Sequence, residues 1–202
     1  MPKKVDHEKR KIIIAEATWK IIVEEGIEQA TVRNIAHAAD LSVGALRHYF
    51  TTQSELLLYS MQLVSDRVRE RMASQQYDGP PLQVMEEVLF EFIPLDKDRK
   101  IEMEVWLSFS ARSLVDPDLM QLNQKVYHDL RRVIIAVIDH LISLQFVPDQ
   151  FAAEIETERL YALIDGLAIH HLLQPDSLSK EMMTSVIQHH LKSLCKQEVL
   201  DK

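Results

Sequence analysis

The chain has 202 residues, 47% hydrophobic and 27% charged, an ordinary globular composition with length for one large domain or two small ones. It shows no apolar run long enough to span a bilayer, no apolar segment after its basic start to make a signal peptide, and a single cysteine, Cys195; a cytoplasmic protein without disulfides or membrane partner is expected. The net charge of −8 is uneven: residues 1–54 carry eight Lys/Arg against seven Asp/Glu, with five of the eight in the first eleven positions, so a local basic edge still permits docking on phosphate.

Four glycines, seven prolines and apolar residues at three- and four-residue spacing predict an all-α fold of about nine helices. The first runs from about His7 to Glu25 and buries Ile13, Ala17 and Ile21, with Ile14, Trp19 and Ile22 alongside. Gly26 sits where a left-handed residue ends the helix, and Ile27 follows as the apolar residue of a Schellman-type stop. Thr31 caps a short second helix, Val32 to Ala38, and Ser42 caps a third, reaching Tyr49. Thr52 and Glu55 match a capping box opening a long fourth helix to about Ala73. Pro80-Pro81 starts a fifth that ends at Pro94. Asp96 caps a sixth to about Arg112, and Asp116-Pro117 starts a seventh to about Gln145. Pro148-Asp149 leads into an eighth reaching His171, and Ser177 caps a ninth ending near Cys195. The domain junction falls at Phe50 to Thr52, dividing the chain into residues 1–51 and 52–202.

Val32 to Tyr49 has the spacing of a helix-turn-helix. Two short helices crossing steeply need a small residue at the crossing, Ala36, and apolar plugs between them: Ile35, Ala39, Leu41, Leu46 and Tyr49. Asp40 occupies the turn position where the backbone goes left-handed, at a cost on the order of 1 kcal/mol for a residue other than glycine. The second helix then offers Ser42, Val43, Ala45, Arg47 and His48 to a major groove. Arg47 suits guanine O6/N7 or a phosphate, and His48 can donate to either. The hydroxyls of Ser42 and Thr52 sit at helix N-termini suited to phosphate. Thr31 and Arg33 flank them to grip the backbone.

The string Gly26…Thr31-Val32-Arg33-Asn34-Ile35-Ala36…Ala39-Asp40-Leu41-Ser42-Val43-Gly44-Ala45-Leu46-Arg47-His48-Tyr49-Phe50…Glu55-Leu56-Leu57 resembles the DNA-binding domain of the TetR family over about residues 8–58. The resemblance implies an all-helical homodimer with a three-helix DNA-binding domain and a larger domain that answers a small molecule. Such a protein acts most often as a repressor, released from a pseudo-palindromic operator by its effector. Three positions depart from the family pattern. Asp40 stands for a glycine, Arg47 for a tyrosine of the recognition helix, and Gln53 for a phosphate-binding lysine, a contact that Lys9, Arg10 or Lys11 can replace. Glu104-Val105-Trp106-Leu107-Ser108-Phe109, Asp116-Pro117-Asp118-Leu119 and Leu163-Ile164-Asp165-Gly166-Leu167-Ala168 resemble the BetI-like branch, which supports the architecture.

The resemblance implies that the last two helices of each subunit form a four-helix dimer bundle. Their apolar positions, Leu160, Leu163, Ile164, Leu167 and Ile169, then Met182, Met183, Val186, Ile187 and Leu191, lie on more than one face, as a helix buried by both its own chain and a partner requires. The expected effector pocket lies among the fourth to eighth helices, with Met61, Phe90, Met103, Trp106, Phe109, Met120 and Tyr127 as candidate lining and Asp165 and His170 as candidate polar groups. Core packing or an interface hydrogen bond explains each of these nine residues as well. The pairs His170-His171 and His189-His190 cannot chelate alone, because adjacent helix residues point about 100° apart. No metal, cofactor or catalytic constellation is expected.

Overall fold

The computed structural model describes the backbone of residues 2–200 and the side chains of residues 6–199, and the described residues form helices and no strands. The helices are α1 (Pro2–Glu25), α2 (Val32–Ala38), α3 (Val43–Arg47), α4 (Gln53–Ser74), α5 (Pro81–Phe90), α6 (Lys97–Ser113), α7 (Pro117–Ser143), α8 (Ala153–Leu173), α9 (Lys180–Leu194) and a four-residue α10 (Gln197–Leu200), with a 3-10 turn at Ile27–Gln29. The backbone groups into two compact units, Met1–Glu70 with Glu104–Lys125, and Arg71–Met103 with Val126–Lys202.

In the first unit, α1 packs on α2 and α2 on α3. The buried face of α1 is Ile14, Ala15, Thr18, Trp19, Ile21 and Ile22, while Ile13 is 44% exposed. The apolar stripe on this helix is wider than one face, so spacing alone misjudged its centre by one residue. The Trp19 indole N–H donates to the carbonyl of Ser60, 2.9 Å away and buried, which fixes α1 on α4. Arg67 lies over the Trp19 ring at 4.7 Å and is hydrogen-bonded to Glu16.

The end of α1 differs from the expected Schellman stop. Gly26 has the positive φ of 91° that only glycine adopts without strain, but its ψ of 159° is extended, and the chain enters the 3-10 turn directly. The left-handed stop occurs instead after α2. Asp40 has φ 55°, the Leu41 N–H reaches the Ala36 carbonyl at 2.8 Å, and the Asp40 N–H reaches His37 at 3.1 Å. That pair of bonds is a Schellman motif with aspartate at its left-handed position. Gln145, at φ 58°, ends α7 in the same way.

The second unit buries one core drawn from α5, α7, α8 and α9, including Leu89, Ile93, Ile134, Ile138, Leu141, Leu160, Ile164, Met183, Ile187 and Leu191. Beside it lies a dense ion-pair network. Arg71, at the end of α4, donates both terminal nitrogens to Glu102 at 2.8 Å and its Nε to Glu91 at 2.9 Å. Arg99 reaches Glu91 at 3.3 Å and Asp96 at 2.7 Å. The two carboxylates hold the Arg71 guanidinium well above the ordinary arginine range against the opposing effect of its burial.

Three helix limits move. α5 stops at Phe90, because Glu91 and Phe92 turn back onto Val88 and Leu89 ahead of Pro94. α8 begins at Ala153 without a side-chain cap, four residues after Asp149. α9 is capped by Ser179, which accepts from the Met182 N–H at 3.2 Å, while Ser177 is spent in the preceding turn. His171 fixes that turn, its Nδ1 lying 2.7 Å from the carbonyl of Leu178.

Candidate nucleic-acid interface

The helix-turn-helix forms from local rules that can be checked one by one. Thr31 caps α2 by accepting from the Asn34 N–H at 3.2 Å, and Ser42 caps α3 by accepting from the Ala45 N–H at 3.1 Å. Thr52 accepts from Glu55 at 3.0 Å, and Glu55 reaches back to the Thr51 N–H at 2.7 Å. Ile35, Ala36, Ala39 and Leu46 are buried at the crossing; Leu41 and Tyr49 are half-buried, and Phe50 joins them fully buried. α3 ends at Arg47, two residues before Tyr49, as the chain turns into the short link to α4.

On the outer surface Arg33, Ser42, Val43, Arg47, His48, Thr52, Gln53 and Lys9 are exposed, while Thr31 and Ala45 are half-buried. Each capping hydroxyl spends a lone pair on a backbone N–H and keeps its proton to donate to a phosphate oxygen. The hydrophobic plugs hold α3 from behind, leaving Arg47 and His48 open to solvent.

Two interactions lay outside the reach of spacing. Gln53 donates its Nε2 to the Ala30 carbonyl at 2.8 Å, tying the first residue of α4 to the turn before α2. Where the family carries lysine, this side chain is a clamp within the domain. The first turns of α1 also reach the far end of α3: the His7 ring stacks on Tyr49 at 4.8 Å, and the Lys11 ammonium lies 5.3 Å from the rings of both Phe50 and Tyr59. Lys9 and Arg10 are thereby carried beside the recognition helix. The side chains of Lys3 and Lys4, the rest of the basic start, lie outside the described residues.

The nine candidate effector residues divide between the units. Met61 and Phe109 are buried, and Trp106 and Met120 half-buried, in the first; Met103 is buried in the second. Phe90 packs on the second unit's core. Tyr127, at the solvent boundary, meets Tyr161 with ring centroids 5.0 Å apart. Asp165, half-buried one helical turn after Tyr161, has its carboxyl pushed up to about 6 by burial. His170 is exposed and, five positions on, points about 140° away from Asp165. Tyr161 escaped the sequence reading, although its i, i+4 relation to Asp165 marks the two as neighbours.

A capped helix-turn-helix with an open basic recognition helix, followed by a larger helical unit, defines a DNA-binding regulator. Residues 14–59 match the family described as bacterial regulatory proteins, tetR family, and residues 81–196 match the BetI-type transcriptional repressor C-terminal domain. The transcriptional regulator PksA of Bacillus subtilis is 42% identical over 196 residues, spanning 96% of this chain and 94% of that one. BetI of Escherichia coli is 27% identical over 194 residues, spanning 95% and 96%. Among solved structures, a Rhodococcus transcriptional regulator superposes with TM-score 0.79 at 26% identity, covering 91% of this chain and 95% of its own. A Saccharomonospora viridis regulator, solved with choline, superposes with TM-score 0.80 at 21% identity, covering 94% and 100%. The chain belongs to the TetR family and is a DNA-binding transcriptional regulator with a BetI-type C-terminal domain, not an enzyme. Among the described residues no helix is long and apolar enough to cross a membrane.

Proposed function

We propose that the chain works in the cytoplasm as a homodimeric repressor that reads a pseudo-palindromic operator through Arg47 and His48 and leaves it when a small molecule binds the second unit. The observation that carries this reading is the recognition helix itself. Ser42, Val43, Arg47 and His48 are all exposed on a helix whose opposite face, Leu46, is fully buried. Thr31, Arg33, Ser42, Thr52 and Lys9 supply phosphate contacts around it, with Ala45 and Tyr49 completing the surface. Gln53 serves this surface by positioning, through Ala30.

The dimer forms through α8 and α9. Leu160, Ile164, Leu167, Met183, Ile187 and Leu191 are used up in the chain's own core. A separate outward stripe remains, with Ile155 61%, Leu173 63% and Met182 55% exposed. Gly166 lies on that stripe with nothing within 4 Å of the position a Cβ would take, which permits a close helix approach. Two subunits then present two α3 helices to half-sites about one helical turn, or a multiple of it, apart.

Release uses α4, one continuous helix from Gln53 to Ser74. Its first residue is tied to Ala30 and its Arg71 to Glu91 and Glu102, so a displacement at either end is carried along it. Arg47→Ala tests the assignment of the reading head in a gel shift against the DNA upstream of the chain's own gene and against scrambled DNA. Lost preference between the two marks base reading, and a uniform weakening marks phosphate contact. Unchanged binding to both would remove α3 from the interface. For the dimer, Ala162→Arg is expected to halve the solution mass in light scattering; an unchanged mass would move the interface elsewhere.

A further inference from the structure

The carboxylates buried or half-buried in the second unit have partners, with one exception. Glu91 and Glu102 are held by Arg71, Glu86 accepts from Gln188 at 2.9 Å, Glu156 from Arg159 at 2.7 Å, and Glu158 from Arg131 at 3.0 Å. Asp165 has no hydrogen-bond or ion-pair partner among the described residues. It lies one turn from Tyr161, close enough for its charge to raise the Tyr161 phenol, whose rise is due first to burial. The Tyr161 ring meets Tyr127 of α7 at 5.0 Å with the planes tilted by 49°. The two rings touch each other, so they form a wall with an unsatisfied carboxylate at one end. Arg131, the nearest cation to Tyr127, has its charge taken by Glu158.

A half-buried anion without a partner is costly, and evolution's usual remedy, a nearby lysine or arginine, is missing here. An aromatic face attracts a cation through its quadrupole, and a carboxylate accepts N–H bonds from it. We propose that Tyr127, Tyr161 and Asp165 form a subsite for a protonated organic amine, its charge over the tyrosine wall and its N–H directed to Asp165. This rests on the effector reading above and names the chemical class that effector would belong to. An N–H donor is required because a fully alkylated nitrogen would leave the acceptor oxygens of Asp165 as unsatisfied as before.

The test uses the intact protein and three probes of one shape: benzylammonium, benzyl alcohol and benzyltrimethylammonium, titrated by calorimetry or ligand-observed NMR. Benzylammonium is expected to bind at least ten-fold more tightly than the other two. Asp165→Asn should remove that preference, and Tyr161→Leu should weaken benzylammonium several-fold, while circular dichroism confirms that both variants fold. Equal binding of all three probes, or a preference for benzylammonium that survives Asp165→Asn, would overturn the assignment. Operator DNA is titrated in parallel. Benzylammonium that binds through Asp165 yet leaves DNA affinity unchanged would keep the amine subsite and overturn its role as the effector site.

Discussion

Arg71→Met probes the element that secures the end of α4. Glu102 is 1% exposed and has Arg71 as its ion-pair partner, whereas Glu91 retains Arg99 at 3.3 Å when Arg71 is removed. The substitution therefore leaves one carboxylate buried without a counter-charge. Breaking a buried pair from one side costs about 3–5 kcal/mol. Arg71 is itself about one-third exposed, so water can reach part of the vacated space and the lower figure, about 3 kcal/mol, applies. For a chain of this length each kcal/mol moves the midpoint by about 2–4 °C, so the melting temperature should fall by about 6–12 °C. Thermal unfolding followed by circular dichroism, at one protein concentration because a dimer's midpoint depends on it, gives the number. The double variant Arg71→Met with Glu102→Leu should recover most of the loss, since no charge is then stranded. A fall below about 3 °C, or a double variant no more stable than the single one, would refute the reasoning, the latter by assigning the cost to lost packing.

Three further substitutions test individual parts of the account. Asp40→Gly relieves a left-handed residue at φ 55° and should raise stability by up to about 1 kcal/mol with DNA affinity intact; a loss on chemical denaturation would contradict the strain. Ser42→Ala removes the cap of α3, costing about 1 kcal/mol, and should weaken DNA binding without altering its salt dependence, since no charge is lost. Asp165→Asn should stabilise the free protein above neutral pH. Its carboxyl rises from 3.8 to about 6 on folding, a penalty of at most about 3 kcal/mol when ionised, reduced to about 1–2 kcal/mol by its residual exposure. Because the folded value lies above the unfolded one, the penalty is absent below about pH 4 and complete above about pH 7. Denaturation curves of the two proteins should therefore coincide at pH 4 and separate at pH 7; a constant gap would refute the linkage.

The helix-turn-helix was legible in the sequence because its determinants are local. Thr31, Ser42 and Thr52 each cap the helix that follows within three residues, and Asp40 takes the left-handed backbone its position demands. Helix limits were less legible where several residues could serve. Ser177 and Ser179 are both plausible caps, and the choice falls to Ser179 because the turn around Ser177 is fixed from afar by His171. Gly26 shows that a residue type can demand positive φ without specifying ψ. The functions of Gln53 and Arg71 were not legible at all. Their partners stand 23 and 31 positions away, and no local periodicity records a contact at that separation. Of the effector candidates, composition supplied Tyr127 and Asp165, but only the packing of α7 on α8 identified Tyr161 as the residue between them.

The central claim is that α3 docks on DNA with basic and hydroxyl groups around it. Fluorescence anisotropy with a labelled duplex from upstream of the chain's own gene, at 50 and 200 mM salt, tests it most directly. If about six phosphates are neutralised across a dimer, affinity should fall by roughly 10³ between the two conditions, with Arg47→Ala weaker at both. Absence of binding at 50 mM, or binding that ignores salt, would contradict the account.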